Sequence, residues 1–85
     1  VAWKVRIKRS AAKELAAVPR PDRERIVAAI DRLAREPAAG AALKGEFQGL
    51  RRLRVGAFRI VYEARKRELA ILVVRFGHRG SVYRR

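Results

Sequence analysis

From Trp3 to Lys8 apolar and cationic residues alternate, with Trp3, Val5 and Ile7 set against Lys4, Arg6 and Lys8. A period of two predicts a strand with one apolar and one charged face. Ser10 then precedes Ala11 to Val18, good helix formers with Leu15 and Val18 on one side, so a helix capped by Ser10 is expected, ending at Pro19 and Pro21. Asp22 is the expected cap of a second helix, where Ile26, Ala29, Ile30 and Leu33 recur at three- and four-residue spacing. Arg25, Asp31, Arg32, Arg35 and Glu36 fill much of its remainder, and Pro37 and Gly40 close it. Both apolar stripes need a sheet to cover them.

Residues 38–49 lack periodicity and hold Gly40, Gly45 and Gly49, which predicts a loop. Leu50 to Val55 is strand-like, with Leu53 and Val55 on one face and Arg52 and Arg54 on the other. The Gly56-Ala57 pair puts glycine first, as a type II′ hairpin turn prefers, and Phe58 to Glu63 returns as the partner strand. Ala64 to Glu68 is the expected second hairpin loop. Leu69 to Val74 is apolar without alternation, as a central strand covered on both faces would be, and Arg75 and Phe76 finish it. The polar tail from Gly77 is expected to lie across the sheet. With no repeat and no linker, residues 1–85 form one domain. The order β-α-α-β-β-β predicts an α+β fold: an antiparallel meander plus a first strand, with a two-helix hairpin packed on one face and the other face free. The place of the first strand in the sheet does not follow from the sequence.

Composition narrows the function. Eighty-five residues carry one core, and 22 Lys and Arg against 8 Asp and Glu give a net charge of +14. Such self-repulsion favours an anionic partner. Residues 1–42 hold ten bases and five acids, residues 43–85 twelve and three, so the second half is the expected site. The absence of cysteine removes disulfides, thiolate metal sites and cysteine nucleophiles, and a single histidine, His78, excludes most histidine-rich metal sites. With no apolar run long enough to span a bilayer and no signal segment, a cytoplasmic protein without membrane contact is expected. The 49% hydrophobic content separates the chain from basic disordered tails.

Strand parity points Arg52 and Arg54 the same way, and Arg59 follows across the tight turn, so three guanidiniums converge on one hairpin. Guanidinium forks match phosphate oxygens in bidentate geometry, which suits a phosphodiester site. The competing reading is a solvated face with local partners such as Glu46 or Glu63. No acid cluster has metal-ligand spacing, and neither Ser10 nor Ser81 has a triad partner, so no metal or other cofactor is expected. A metal-free route remains, in which the RNA 2′-hydroxyl attacks the adjacent phosphorus while cations stabilise the phosphoryl charge. It requires a base, an acid and an aromatic ring to hold a splayed nucleobase. Tyr83 and His78 are candidates from the tail for these tasks and Arg79, with Tyr83, for completing the arginine cluster, while Trp3, Phe47, Phe58, Tyr62 and Phe76 read as packing.

The motifs Leu43-Lys44-Gly45-Glu46, Gly49-Leu50-Arg51-Arg52-Leu53-Arg54-Val55-Gly56, Phe58-Arg59-Ile60-Val61-Tyr62-Glu63, Arg75-Phe76-Gly77-His78-Arg79 and Val82-Tyr83 occur in this order. Together they resemble the RelE/ParE superfamily of bacterial toxins, the RelE branch in particular, over nearly the whole chain. The resemblance implies a ribosome-dependent mRNA endonuclease that cuts in the A site, against 16S rRNA, and is restrained by an antitoxin. An acidic amphipathic helix is the expected form of that antitoxin's contact. The family's basic positions fall on Arg52 and Arg54, its next-strand arginine on Arg59, and its later arginine and tyrosine on Arg79 and Tyr83. Lys44, Arg51, Arg84 and Arg85 are the expected further RNA contacts. Arginine at 52 and 54, where lysine is common in RelE, is a poor general base, so Tyr83 or His78 shares proton transfer. The ParE branch has the same fold and inhibits DNA gyrase; a ParE-like inhibitor and a non-catalytic basic nucleic-acid-binding module are the alternatives.

Overall fold

In the computed structural model, which describes residues 2–78, one mixed sheet carries both helices. Strand β1 (Lys4–Ile7) is followed by α1 (Arg9–Ala16), α2 (Arg20–Arg35), β2 (Ala41–Ala42), a one-turn 3₁₀ helix (Gly45–Phe47), β3 (Arg51–Val55), β4 (Phe58–Arg65) and β5 (Ala70–His78). The sheet order is β1-β5-β4-β3-β2, with β1 parallel to β5 and every other pair antiparallel. The α+β architecture and the β3–β4–β5 meander are those expected, and the first strand occupies the edge beside β5.

Both expected caps are corrected. Lys8 and Pro19 hold the N-cap positions without side-chain cap bonds, and Ser10 and Asp22 lie inside the first turns. The amide of Lys8 still bonds the Val73 carbonyl at 2.9 Å as strand pairing ends, while its own carbonyl already accepts from Ala12. The chain therefore passes from β1 into α1 through Lys8 alone, which ends the strand pairing and begins the helix at once. At α2 the prolines mark the start, because a missing N–H costs nothing in a first turn. Asp22 there still favours the positive helix end.

The 38–49 stretch, expected as loop, contains β2 and the 3₁₀ turn. The last strand begins at Ala70 rather than Leu69, whose φ of +50° makes it part of the preceding turn, and it runs on to His78. That extension has a visible cause. Beyond Val73 the edge of β5 has outrun β1, and Glu14 of α1 takes the place of a neighbouring strand. Its Oε1 accepts the Phe76 N–H at 3.0 Å and its Oε2 accepts Arg75 Nη2 at 3.1 Å.

One extra residue, Val74, sits opposite the Val61–Tyr62 step, since Val61 pairs with Arg75 and Tyr62 with Val73. This bulge reverses the parity of the strand and brings Phe76 to the same side as Ile71 and Val73. These three join Ile60 and Tyr62 of β4, Ala11, Val18, Ile26, Ile30 and Leu33 in the core beneath the helices. Each large side chain so buried contributes roughly 1.5–3 kcal/mol. Val5 and Ile7 face the same side by register, but at the sheet edge they stay 37% and 38% exposed. No helix among the described residues is long and apolar enough to cross a membrane.

Fully buried Tyr62 ties the end of α2 to the sheet. Its hydroxyl accepts the Gly40 N–H at 2.9 Å and donates to the Pro37 carbonyl at 2.8 Å. Burial raises the phenol pKa, against the opposing Gly40 hydrogen bond and the Arg51 charge, so the proton it donates is retained. Gly40 is required here: a Cβ would stand 2.5 Å from the Arg52 carbonyl oxygen and 2.7 Å from the Tyr62 hydroxyl. Replacing Tyr62 by Phe leaves two backbone groups without this partner, a cost of about 1–3 kcal/mol. Thermal unfolding of Tyr62→Phe should show a midpoint lower by roughly 4 °C or more, and Gly40→Ala should fall further. Unchanged midpoints would show that this junction contributes nothing to stability.

Candidate functional site

Leu53 and Val55 of β3 and Phe58, Ile60 and Tyr62 of β4 pack on the helix side of the sheet. Alternation therefore places Arg52, Arg54 and Arg59 on the opposite face. Gly56, at φ +60°, makes the two-residue turn that brings Arg54 directly opposite Arg59, with Arg52 opposite Val61 one step along. Directly opposed side chains have Cβ atoms about 4.5–5.5 Å apart, and like charges in that position repel. Arg54 is exposed, whereas Arg52 and Arg59 are partly buried, where screening by water is weaker. The arrangement suits an oxyanion that several guanidiniums grip at once.

Three neighbouring acids make ion pairs with other arginines. Glu63, a partner the solvated-face reading would use, instead accepts Arg65 Nε at 2.6 Å. Glu68 lies 3.6 Å from Arg65 Nη1. Arg75, in register with Val61, turns its guanidinium to Glu14 on α1.

Of the other expected site residues, Lys44 joins the arginine face through a pocket of about 400 Å³ that it lines with Ala42, Leu43, Phe47 and Arg52. Arg51 does not join it. It lies on the helix side in register with Tyr62, and its Nη1 donates to the Gly40 carbonyl at 2.7 Å, which makes it a brace of the loop. His78 is not brought to the guanidiniums either. The bulge sets it opposite Phe58, with ring centroids 5.6 Å apart at an interplanar angle of 79°. Arg79, Tyr83, Arg84 and Arg85 lie outside the described residues. Among the described residues no group of three or more His, Cys, Asp or Glu could hold a metal ion. The sequence marks Phe47 only as packing and Glu14 only as a helix former, whereas the structure sets Phe47 beside Lys44 and Arg52 in one pocket and Glu14 against the edge of β5. An aromatic three residues from Lys44 was the available signal for the first; nothing local announces the second.

A family model described as the ParE toxin of type II toxin–antitoxin systems matches residues 5–83. The fold is similar to that of the toxin–antitoxin complex RelBE2 from Mycobacterium tuberculosis, at 28% identity and a TM-score of 0.86, covering 93% of this chain and 100% of that one. It is also similar to the RelB–RelE complex from Methanococcus jannaschii, at 26% identity and a TM-score of 0.73, covering 93% and 95%. The isolated E. coli RelE toxin shares the fold at 18% identity and a TM-score of 0.79, covering 91% and 84%. No curated protein matches the chain.

The opposed Arg54 and Arg59 yield a prediction about the protein alone. Arg54→Gln should raise the thermal midpoint by about 1–5 °C at low salt, because a like-charged cross-strand pair costs up to about 1 kcal/mol. The gain should shrink at 1 M salt, where the screening length falls to about 3 Å. A lowered midpoint, or a gain indifferent to salt, would mean that the two guanidiniums do not repel.

Proposed function

The chain belongs to the RelE/ParE superfamily of type II toxin–antitoxin toxins, and from that premise we propose that it is a ribosome-dependent endonuclease cutting mRNA in the A site. The observation that carries this reading is the placement of Arg52, Arg54 and Arg59 together on the face the helices leave uncovered.

In the proposed reaction the RNA supplies its own nucleophile. The 2′-oxygen forms a bond to the adjacent phosphorus, the bond from phosphorus to the 5′-oxygen breaks, and a 2′,3′-cyclic phosphate remains. Charge builds on the non-bridging oxygens, where fixed guanidiniums stabilise the transition state more than the ground state. Arginine stays protonated throughout, so the trio is a clamp and not a base. Arg79 and Tyr83, carried by the family pattern, complete the clamp and provide proton transfer or base stacking. The ribosome, with its 16S rRNA, holds the codon in line for attack.

Restraint of the toxin falls to an antitoxin, in keeping with the RelB partners of the similar complexes. A net charge of +14 favours an acidic amphipathic segment for that contact. A second reading, inhibition of DNA gyrase without chemistry, is favoured by the ParE description of the matching family model.

Primer extension on mRNA-programmed ribosomes separates the two. The protein should cut within the A-site codon only when ribosomes are present. Arg54→Ala and Arg59→Ala should each lower the cleavage rate about a hundredfold or more, with the far-ultraviolet circular dichroism of the native fold retained. Intact mRNA from folded, toxic protein would overturn the nuclease reading, and a gyrase supercoiling assay would then test the second.

A further inference from the structure

The pocket beside Arg52 has properties that phosphate binding alone does not require. Ala42 and Leu43 give it apolar walls, Phe47 contributes a ring, and Lys44 and Arg52 contribute two cations, with no acid among the lining residues. Its volume of about 400 Å³ is in the range of small-ligand sites.

It is also continuous with the guanidinium face. Arg52 belongs to both, and one two-residue step of β3, about 6.8 Å, separates it from the Arg54–Arg59 pair. A strand gripped at that pair and running toward β2 would meet the pocket with a neighbouring nucleotide.

The loop that presents the ring is closed on itself. Leu43 N–H bonds the Leu50 carbonyl at 2.9 Å, Leu50 N–H the Phe47 carbonyl at 3.1 Å, and Gln48 N–H the Gly45 carbonyl at 3.1 Å. Gly45 and Gly49, at φ +69° and +95°, supply the left-handed turns that this closure needs. A ring held by such a loop loses little further freedom when a base stacks on it.

Neither of two other clefts combines these properties. The one between the helices, lined by Leu15, Val27 and Ala28 with Arg23, Glu24 and Asp31, has no aromatic ring. The one at Trp3 and Lys66 includes Arg51, which is already tied to Gly40.

We propose that the Phe47 pocket is a nucleobase subsite: the base of a nucleotide next to the cleaved phosphodiester stacks on Phe47, while Lys44 and Arg52 hold its phosphates. The inference rests on the nuclease reading and adds a contact to it. Stacking accepts any base, so the subsite sets affinity and register on the RNA and not codon identity.

The test is a cycle of protein and RNA changes on programmed ribosomes. Phe47→Leu keeps an apolar side chain and removes the π-face, and mRNAs carry a single abasic nucleotide at each A-site position in turn. On intact mRNA, Phe47→Leu should raise KM about 5- to 100-fold, as loss of one base–aromatic stack does. One abasic mRNA should impose the same loss on the unaltered protein, and Phe47→Leu should add nothing on that RNA alone. Phe47→Tyr, which keeps the π-face, should restore KM. Kinetics of Phe47→Leu equal to those of the unaltered protein, or a loss equal on intact and on every abasic mRNA, would overturn the subsite and leave the nuclease reading standing. Failure of the unaltered protein to cut intact mRNA would overturn the nuclease reading, and the subsite with it.

Discussion

A slip of one residue between β3 and β4 would carry Ile60 and Tyr62 to the solvent face and Arg59 beneath the helices. The fold depends on preventing that slip. Gly56 fixes the two-residue turn from one end, at φ +60°. From the other, Tyr62 is anchored through its hydroxyl to Gly40 and Pro37, while Arg51 grips the Gly40 carbonyl. The same register that buries Ile60 and Tyr62 sets Arg54 against Arg59, so core and charged face are two consequences of one alignment.

The charged face conflicts locally with stability. Like-charged residues directly opposed in register repel, and a fold selected for stability alone would place an acid or an apolar residue at one of these positions. Conflicts of this kind concentrate at functional sites and are offset elsewhere in the structure. Here the offset is the apolar layer beneath the helices, together with Glu14, which neutralises Arg75 and satisfies the Phe76 amide at an edge no strand covers. A bound phosphodiester would bring negative charge to this face and lessen the repulsion.

Much of this was legible in the sequence, for physical reasons that also explain what was not. Strand parity and a glycine-first turn are local properties, so the arginine trio and the β3–β4 hairpin could be read directly from residues 50–63. Ser10 and Asp22 have the chemistry of caps, but tertiary pairing of Lys8 with Val73 and the prolines at 19 and 21 moved the helix starts ahead of them. Single-residue patterns could not show the Val74 bulge, which is a relation between two strands, and with it went the side on which His78 lies. Arg51 looked like one more cation in a basic run. Only the position of Gly40, eleven residues earlier, makes it structural. The parallel pairing of β1 with β5 links chain segments more than sixty residues apart and has no local signal.

The central claim is that the arginine face promotes attack by the RNA's own 2′-hydroxyl. It is tested most directly with an mRNA that carries a single 2′-deoxynucleotide at the nucleotide whose 3′ phosphodiester is cut, presented on programmed ribosomes. Loss of cleavage at that bond, with cutting retained on the all-ribose message and a 2′,3′-cyclic phosphate on its product, is the predicted result. Cleavage of the deoxy-substituted bond at the ribose rate would contradict the account, because no 2′-oxygen would be present to attack.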